Sequence, residues 1–357
     1  MTTPVSAGLN AGCSALSWDT ADGLCLWGRN YDFDRLADGA GMTFLPRGTC
    51  YQGVVGQPTA PAPHTSRYAC AGVGLLLSPT PVLYEGINER GLMGGQLYYR
   101  GFADYAPAGQ PDARTLQPPF LVYHLLAQCA TVEEAVQMLE GAICLAALPF
   151  FGAVPPLHWA FRDAGGETIV VEPDRDGLHI YRNTLGVMTN SPGYPWHRLN
   201  LLNYAGLRDA DYPELQMAGE TLEQCFSGSG MQGLPGDWSS PARFVRLAFL
   251  KTHALPGRNE QEGVSRMFRL FESAAFPLGL VRVSHQSQVT ELDSTVLPFD
   301  YTVYTTVYCA QTLRAYWTTY ENQRIQCLDL GALRNRSQPL HLPLDPVPDI
   351  LNRTPEA

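Results

Sequence analysis

The residues that could do chemistry begin where a polar lead-in ends. "MTTPVSAGLNAG" runs up to Cys13, and strand-like alternation starts immediately after it. If the Gly12–Cys13 bond is cut, Cys13 carries a free α-amine beside its own thiol. An α-amine titrates at about pH 7.7–8.0, close to the ideal for a general base near neutrality. A thiol needs such a base, or a lowered pKa, to act as a nucleophile. Covalent geometry holds both groups on one residue, so no histidine is required. The preceding glycine admits the strained backbone from which a thiol attacks its own preceding carbonyl. A second reading stands beside this one: Cys13 is simply the first buried residue of a strand.

Arg29 and Asp32, in "GRNYDFD", are the next candidates. Cys13, Ala15 and Ser17 share one strand face, and the partner strand returns antiparallel across the Asp-Gly turn in "TADG". Arg29 and Asp32 therefore arrive near the level of Cys13. An arginine beside the sulfur stabilises thiolate, and a carboxylate orients an α-ammonium. The plainer reading is a surface ion pair of little worth. Asn190, ending the strand in "GVMTNSP", offers turn chemistry or a side-chain N–H for an oxyanion. Arg243 sits in the first turn of the amphipathic helix in "LPGDWSSPARFVRLAFL", a poor place for a cation by the dipole argument, which favours a functional reason. The glycines of "GGQLYY" (94–99) would let a backbone N–H approach a ligand.

The elements that must position these residues read as strands, helices, strands, helices, strands. After the hairpin come strand-like runs "YACAGVGLLL", "PVLYEGINE" and "GLMGGQLYY". "PPFLVYHLLAQCATVEEAVQMLEGA" is helical by period, with Pro118 and Pro119 at its start and Thr131 opening a second helix with Glu134 at the capping-box offset. A meander spans "LHWAFRD" to "LGVMTNSP". Residues 193–238 are loop-rich with a short helix near "WHRLNLLNY". Helices near 241–254 and 262–275 precede a last strand block at 300–330 and a Pro-rich, loose tail. This order predicts one α+β domain with an αββα plan, two antiparallel sheets between helical layers.

Composition narrows the classes. Of 357 residues, 16% are charged, which argues against disorder, and the net charge of −10 disfavours nucleic acid and anionic membranes. Residues 1–12 lack the basic start and apolar centre of a secretory signal, and no run has the length of a membrane span, so the expected compartment is the cytoplasm. The nine cysteines and eight histidines show neither CxxC nor HExxH spacing, so neither a metal nor an organic cofactor is expected. No phosphate-binding glycine loop and no GxSxG elbow is present.

In their order and spacing, "CSALS", "GRNYDF", "FLPRG", "SPTPVLYEGINERGLMGGQLYY", "PPLHWAFRDAGGETIVVEPD", "GVMTNSPGYPWH", "LPGDWSSPARF" and "YTVYTTVYCAQT" resemble the choloylglycine hydrolase family of cysteine N-terminal-nucleophile amidases. The resemblance runs from Cys13 to about residue 330. It implies a four-layer fold, autocatalytic removal of a propeptide 1–12, and a single domain over 13–357. It implies that Cys13 is the nucleophile and its α-amine the proton shuttle. Arg29 and Asp32 would tune them, Asn190 and the Tyr98 backbone N–H would serve as oxyanion donors, and Arg243 would support the network. Tyr31, Phe33 and Tyr99 would border an acyl pocket for a small-molecule amide. It also implies a homotetramer, with 193–238 as the assembly arm. Tyrosine at 98 places the chain nearer the penicillin V acylases, where bile-salt hydrolases tend to carry asparagine, although "GRNYDF" has the bile-salt hydrolase spelling. Bile-acid conjugates and N-acyl homoserine lactones are the alternative substrates, and an unprocessed binding protein is the alternative of another class.

Overall fold

A computed structural model describes residues 12–283 and 290–354. The first hairpin forms where the alternation and the Asp-Gly signal predict it. β1 (Gly12–Asp19) and β2 (Cys25–Phe33) pair antiparallel, and Gly23 closes the turn with φ +88°, a conformation that costs glycine nothing. The register sets Cys13 opposite Tyr31, Ala15 opposite Arg29 and Gly12 opposite Asp32. Arg29 and Asp32 thus flank the cysteine's partner position instead of facing it directly.

Every pairing in the two large sheets is antiparallel. Sheet two uses β3 (Ala40–Leu45), β4 (Cys70–Leu75), β5 (Val82–Leu83), β6 (Glu85–Asn88), β7 (Met93–Tyr98), β8 (Leu157–Arg162), β9 (Thr168–Asp174) and β10 (Gly177–Arg182). Sheet one joins β1 and β2 to β11 (Val187–Met188), β12 (Val281–Arg282), β13 (Phe299–Cys309), β14 (Arg314–Thr319) and β15 (Gln326–Asp329). Strands such as β3, β4 and β8 are buried along their whole length, as befits sheets covered on both faces.

The covers are helical. α1 (Leu121–Gln128) packs on β4, β5, β6 and β7, and it is followed by α2 (Val132–Gly141). The Thr131 side chain accepts the Glu134 N–H, and Glu134 in return accepts the Ala130 N–H, so the predicted cap is reciprocal. On the other side α4 (Ser240–His253) and α5 (Glu260–Glu272) cover β1, β2 and β13, while α3 (Tyr194–Asn200) opens the 193–238 excursion. One hydrophobic core draws on both sheets and these helices. This is the α+β plan of two antiparallel sheets between helices.

The tail differs from the reading as loose. Leu340–Pro343 forms β16, an edge strand on β3 with Leu340 opposite Phe44. Leu340 and Leu342 pack on the core, and proline falls at the strand's end, on an edge, where a missing N–H is tolerated. Residues 1–11 of the expected propeptide lie outside the described residues, and among the described residues no helix is long and apolar enough to cross a membrane.

Candidate active site

Cys13 lies at the start of β1, 2% exposed, beneath a pocket whose walls include Tyr31, Phe33, Tyr84, Tyr98, Phe150 and Phe151. Its sulfur has two neighbours that favour thiolate. Arg29 Nη2 stands 3.4 Å away, and the Asp32 backbone N–H also points at it. Burial nonetheless pushes the thiol up, with the Arg29 charge pulling down against it and the Asp32 carboxylate adding to the rise. Unassisted, this thiol stays protonated at neutral pH, so it needs a base.

The place for that base is defined at the Cys13 nitrogen. In the uncut chain it is a peptide N–H, and it donates to Asn190 Oδ1 at 2.9 Å. Were the Gly12–Cys13 bond cut, the same atom would become an α-amine. Asp32, one register step away and fully buried, keeps Oδ1 on the Thr302 hydroxyl, while Oδ2 has no partner among the described residues. Burial raises Asp32 to about 7, against the opposing pull of Arg243, Thr302 and Arg29. Arg243 and Arg29 act on this carboxyl only from a distance, and a new ammonium at Cys13 would give it a direct partner. Gly12 is needed here as glycine because a Cβ would sit 2.6 Å from the Phe276 ring.

Asn190 is tied at five points. Its Oδ1 accepts from Cys13 and from Arg243 Nη2 (2.7 Å), and its Nδ2 donates to the Tyr98 carbonyl (2.9 Å). Its backbone N–H donates to Ser240 Oγ (2.9 Å) and its carbonyl accepts from His197 Nε2 (2.9 Å). Burial lowers His197 to about 4, so the ring is neutral and holds that N–H toward Asn190. The Tyr98 N–H opens on the same side. Tyr99 N–H bonds Pro156 O at 2.8 Å, so strand alternation turns the N–H and C=O of Tyr98 the other way, toward Asn190.

Arg243 resolves the misplaced cation. The Ser239 side chain caps α4 and Pro241 follows in the first turn, so the helix begins beside β1. The guanidinium leaves the helix and donates to Cys13 O (2.5 Å), Ser14 Oγ (2.7 Å), Asn190 Oδ1 and Trp238 O (2.9 Å). These bonds exceed the dipole cost of a cation at that end.

The structure gathers Cys13, Arg29, Asp32, Tyr98, Asn190 and Arg243 around one point, with Tyr31 and Phe33 in the pocket wall. Tyr99 is a correction. As the next residue after Tyr98 it points to the opposite face, where it stacks on His158 at 4.5 Å and donates to Asp174 at 2.8 Å. It does not line the pocket. Sequence reasoning missed Glu85, fully buried, which pairs with Arg29 Nη1 at 3.2 Å and accepts from the Tyr304 hydroxyl at 3.1 Å. Its one signal was an acid inside the apolar run "PVLYEGIN". A Cβ at Gly95 would lie 2.6 Å from the Glu85 Cβ, so that glycine makes its room. Asp174, Asp176 and His179 bring metal-ligand types together at a turn outside this pocket, where His179 bonds Asp176 at 2.8 Å.

Comparison with known proteins gives the family. The chain belongs to the choloylglycine hydrolase family of linear amide C–N hydrolases, whose model matches residues 13–335, a span that begins at Cys13. It is 29% identical over 322 residues to a bile salt hydrolase/transferase of Clostridium perfringens, covering 89% of this chain and 92% of that one. A bile salt hydrolase/transferase of Lactiplantibacillus plantarum is 30% identical over 321 residues, with 89% and 92% covered. Among solved structures, the conjugated bile acid hydrolase of Clostridium perfringens superposes with a TM-score of 0.81 at 27% identity, covering 96% of this chain and 100% of that one. Penicillin V acylase of Agrobacterium tumefaciens shares the fold, with a TM-score of 0.69 at 20% identity over 90% and 87% of the two chains. The protein is a hydrolase of linear amides, and the relatives named here as most alike in sequence are bile-salt enzymes.

Proposed function

We propose that the chain is a self-activating cysteine amidase for N-acyl amines with an apolar, ring-bearing acyl group. The observation that carries this is the Cys13 nitrogen on Asn190 Oδ1 with the Cys13 sulfur beside Arg29, at the foot of an aromatic pocket. Removal of residues 1–12 frees the α-amine, which takes the thiol proton as sulfur attacks the amide carbonyl. The free Nδ2–H of Asn190 and the Tyr98 N–H receive the oxyanion. The α-ammonium then protonates the departing amine, and the resulting α-amine activates the water that hydrolyses the thioester. Asp32 and Arg243 hold the amine, the carbonyl of Cys13 and Asn190 in place throughout.

Rings at Tyr31, Phe33, Tyr84, Tyr98, Phe150 and Phe151 support an aryl acyl group such as the phenoxyacetyl of penicillin V. A second reading, conjugated bile acids, is favoured by the relatives' names. The ratio of kcat/KM for penicillin V to that for glycocholate decides between them, and a ratio above one supports the aryl reading.

The 193–238 excursion supports assembly with further copies of this chain. Its hairpin, Leu215–Met217 with Glu220–Leu222, pairs only with itself among the described residues and leaves Leu215, Met217, Leu222 and Phe226 exposed. Light scattering should give the mass of four chains, and Met217→Asp should lower it.

A further inference from the structure

The turn Phe150–Ala153 is built against its own backbone preference. Phe150 and Ala153 exchange both backbone hydrogen bonds, at 2.8 and 3.2 Å, which makes a two-residue hairpin loop. Phe151 and Gly152 fill the two central positions with φ +47° and +79°. Positive φ at both is the signature of a type I′ turn, whose first central position prefers Asn, Asp or Gly. A bulky aromatic there is a genuine outlier. Burial does not compensate for it, because Phe151 is 41% exposed. Its ring stands edge-on to Phe150 at 4.6 Å, and Phe150 stands edge-on to Phe120 at 5.1 Å, so the turn is anchored beneath it. Both phenylalanines line the pocket that ends on Cys13.

A strained, half-exposed aromatic at the mouth of a catalytic pocket contributes little to folding and offers a ring face to whatever enters. We propose that Phe151 is a specificity-determining residue, held by this turn as a clamp on the ring system of the substrate's acyl group. The inference rests on the amidase reading above. It adds that selectivity for ring-bearing over short acyl groups is set at the mouth by one residue whose placement costs stability.

The test compares penicillin V with the acetyl amide of the same amine, 6-aminopenicillanate, in the mature wild-type enzyme and in Phe151→Asn and Phe151→Tyr. Phe151→Asn creates the favoured Asn-Gly pair of a type I′ turn, so its melting temperature should equal or exceed that of the wild type. Its preference for phenoxyacetyl over acetyl, as a ratio of kcat/KM, should fall about tenfold through KM. Phe151→Tyr should keep the preference. An unchanged ratio in Phe151→Asn, with the wild type active, overturns the clamp and leaves the amidase reading intact. A correctly trimmed wild type that cleaves neither amide overturns the penicillin V reading, and the clamp with it.

Discussion

Arg29 Nη2 lies 3.4 Å from the Cys13 sulfur although the two residues sit on different strands, two register positions out of line. The guanidinium bridges the sheets. Its other amino group bonds the carbonyls of Tyr84 and Gln96 and pairs with Glu85 across the core. A buried cation so anchored acts on the sulfur at full strength, because low surrounding polarity leaves it little screened. Replacing it by Arg29→Gln should slow amide hydrolysis about a hundredfold or more and slow Cys13 alkylation in parallel. Peptide mass mapping after iodoacetamide separates Cys13 from the other eight cysteines. A loss of threefold or less would show that the guanidinium does not serve the thiolate.

Glu85 shares that cation. Burial raises its carboxyl to about 7, with Arg29 opposing the rise. Above that pH the carboxylate draws on the charge that Cys13 also uses, and below it the proton removes the competition. Glu85→Gln keeps an acceptor for Arg29 and discards the charge. Cys13 alkylation should therefore run faster in the variant than in the wild type above pH ~7, with the ratio closing to one below it. A ratio of one at every pH would mean that Glu85 only fills space.

Asn190 offers a cleaner split between binding and chemistry. Its amide reaches the Cys13 nitrogen and the Tyr98 carbonyl and makes no wall of the acyl pocket. Asn190→Ala should lower kcat by about 10²–10³ with KM little changed. A variant whose KM rises while kcat holds would place the oxyanion elsewhere.

Two buried carboxyls predict how the uncut chain responds to pH. Burial raises Asp32 to about 7 and Asp300 to about 8 from an ordinary value of 3.8. At these two sites the folded chain holds protons that the unfolded chain releases, so they make stability fall as pH rises between roughly 4 and 8, while buried His197, neutral when folded, acts the other way below about pH 6.5. The full-length Cys13→Ala chain, which retains its leader, should melt at a lower temperature at pH 8 than at pH 6.5, a range in which the carboxyls act unopposed by the buried histidines. Asp300→Asn should flatten that slope. A melting temperature that climbs over this range would contradict the assignment.

The hairpin that carries Cys13 was legible because its signals are local: alternation on both strands and an Asp-Gly turn between them. Arg243 was legible through a violation, a cation at the wrong end of a helix. What escaped was decided by distance in sequence or by a single residue of parity. Glu85 meets Arg29 across two sheets, and nothing near either residue announces the other. Tyr98 and Tyr99 are adjacent and identical, and only the pairing of Tyr99 with Pro156 shows which one faces the site. The tail strand Leu340–Pro343 closes on β3 some 300 residues earlier, a contact that no local pattern specifies. The ladder of Ser240 and His197 behind Asn190 is likewise long-range.

The central claim is that the Cys13 nitrogen works as a free amine. The most direct measurement is the intact mass of the purified protein after incubation at neutral pH, alongside that of Cys13→Ala. The account predicts a wild type shortened by residues 1–12 and a variant that retains them. A wild type that stays full length and still hydrolyses amides would show that the reaction proceeds without that amine, and would contradict the account.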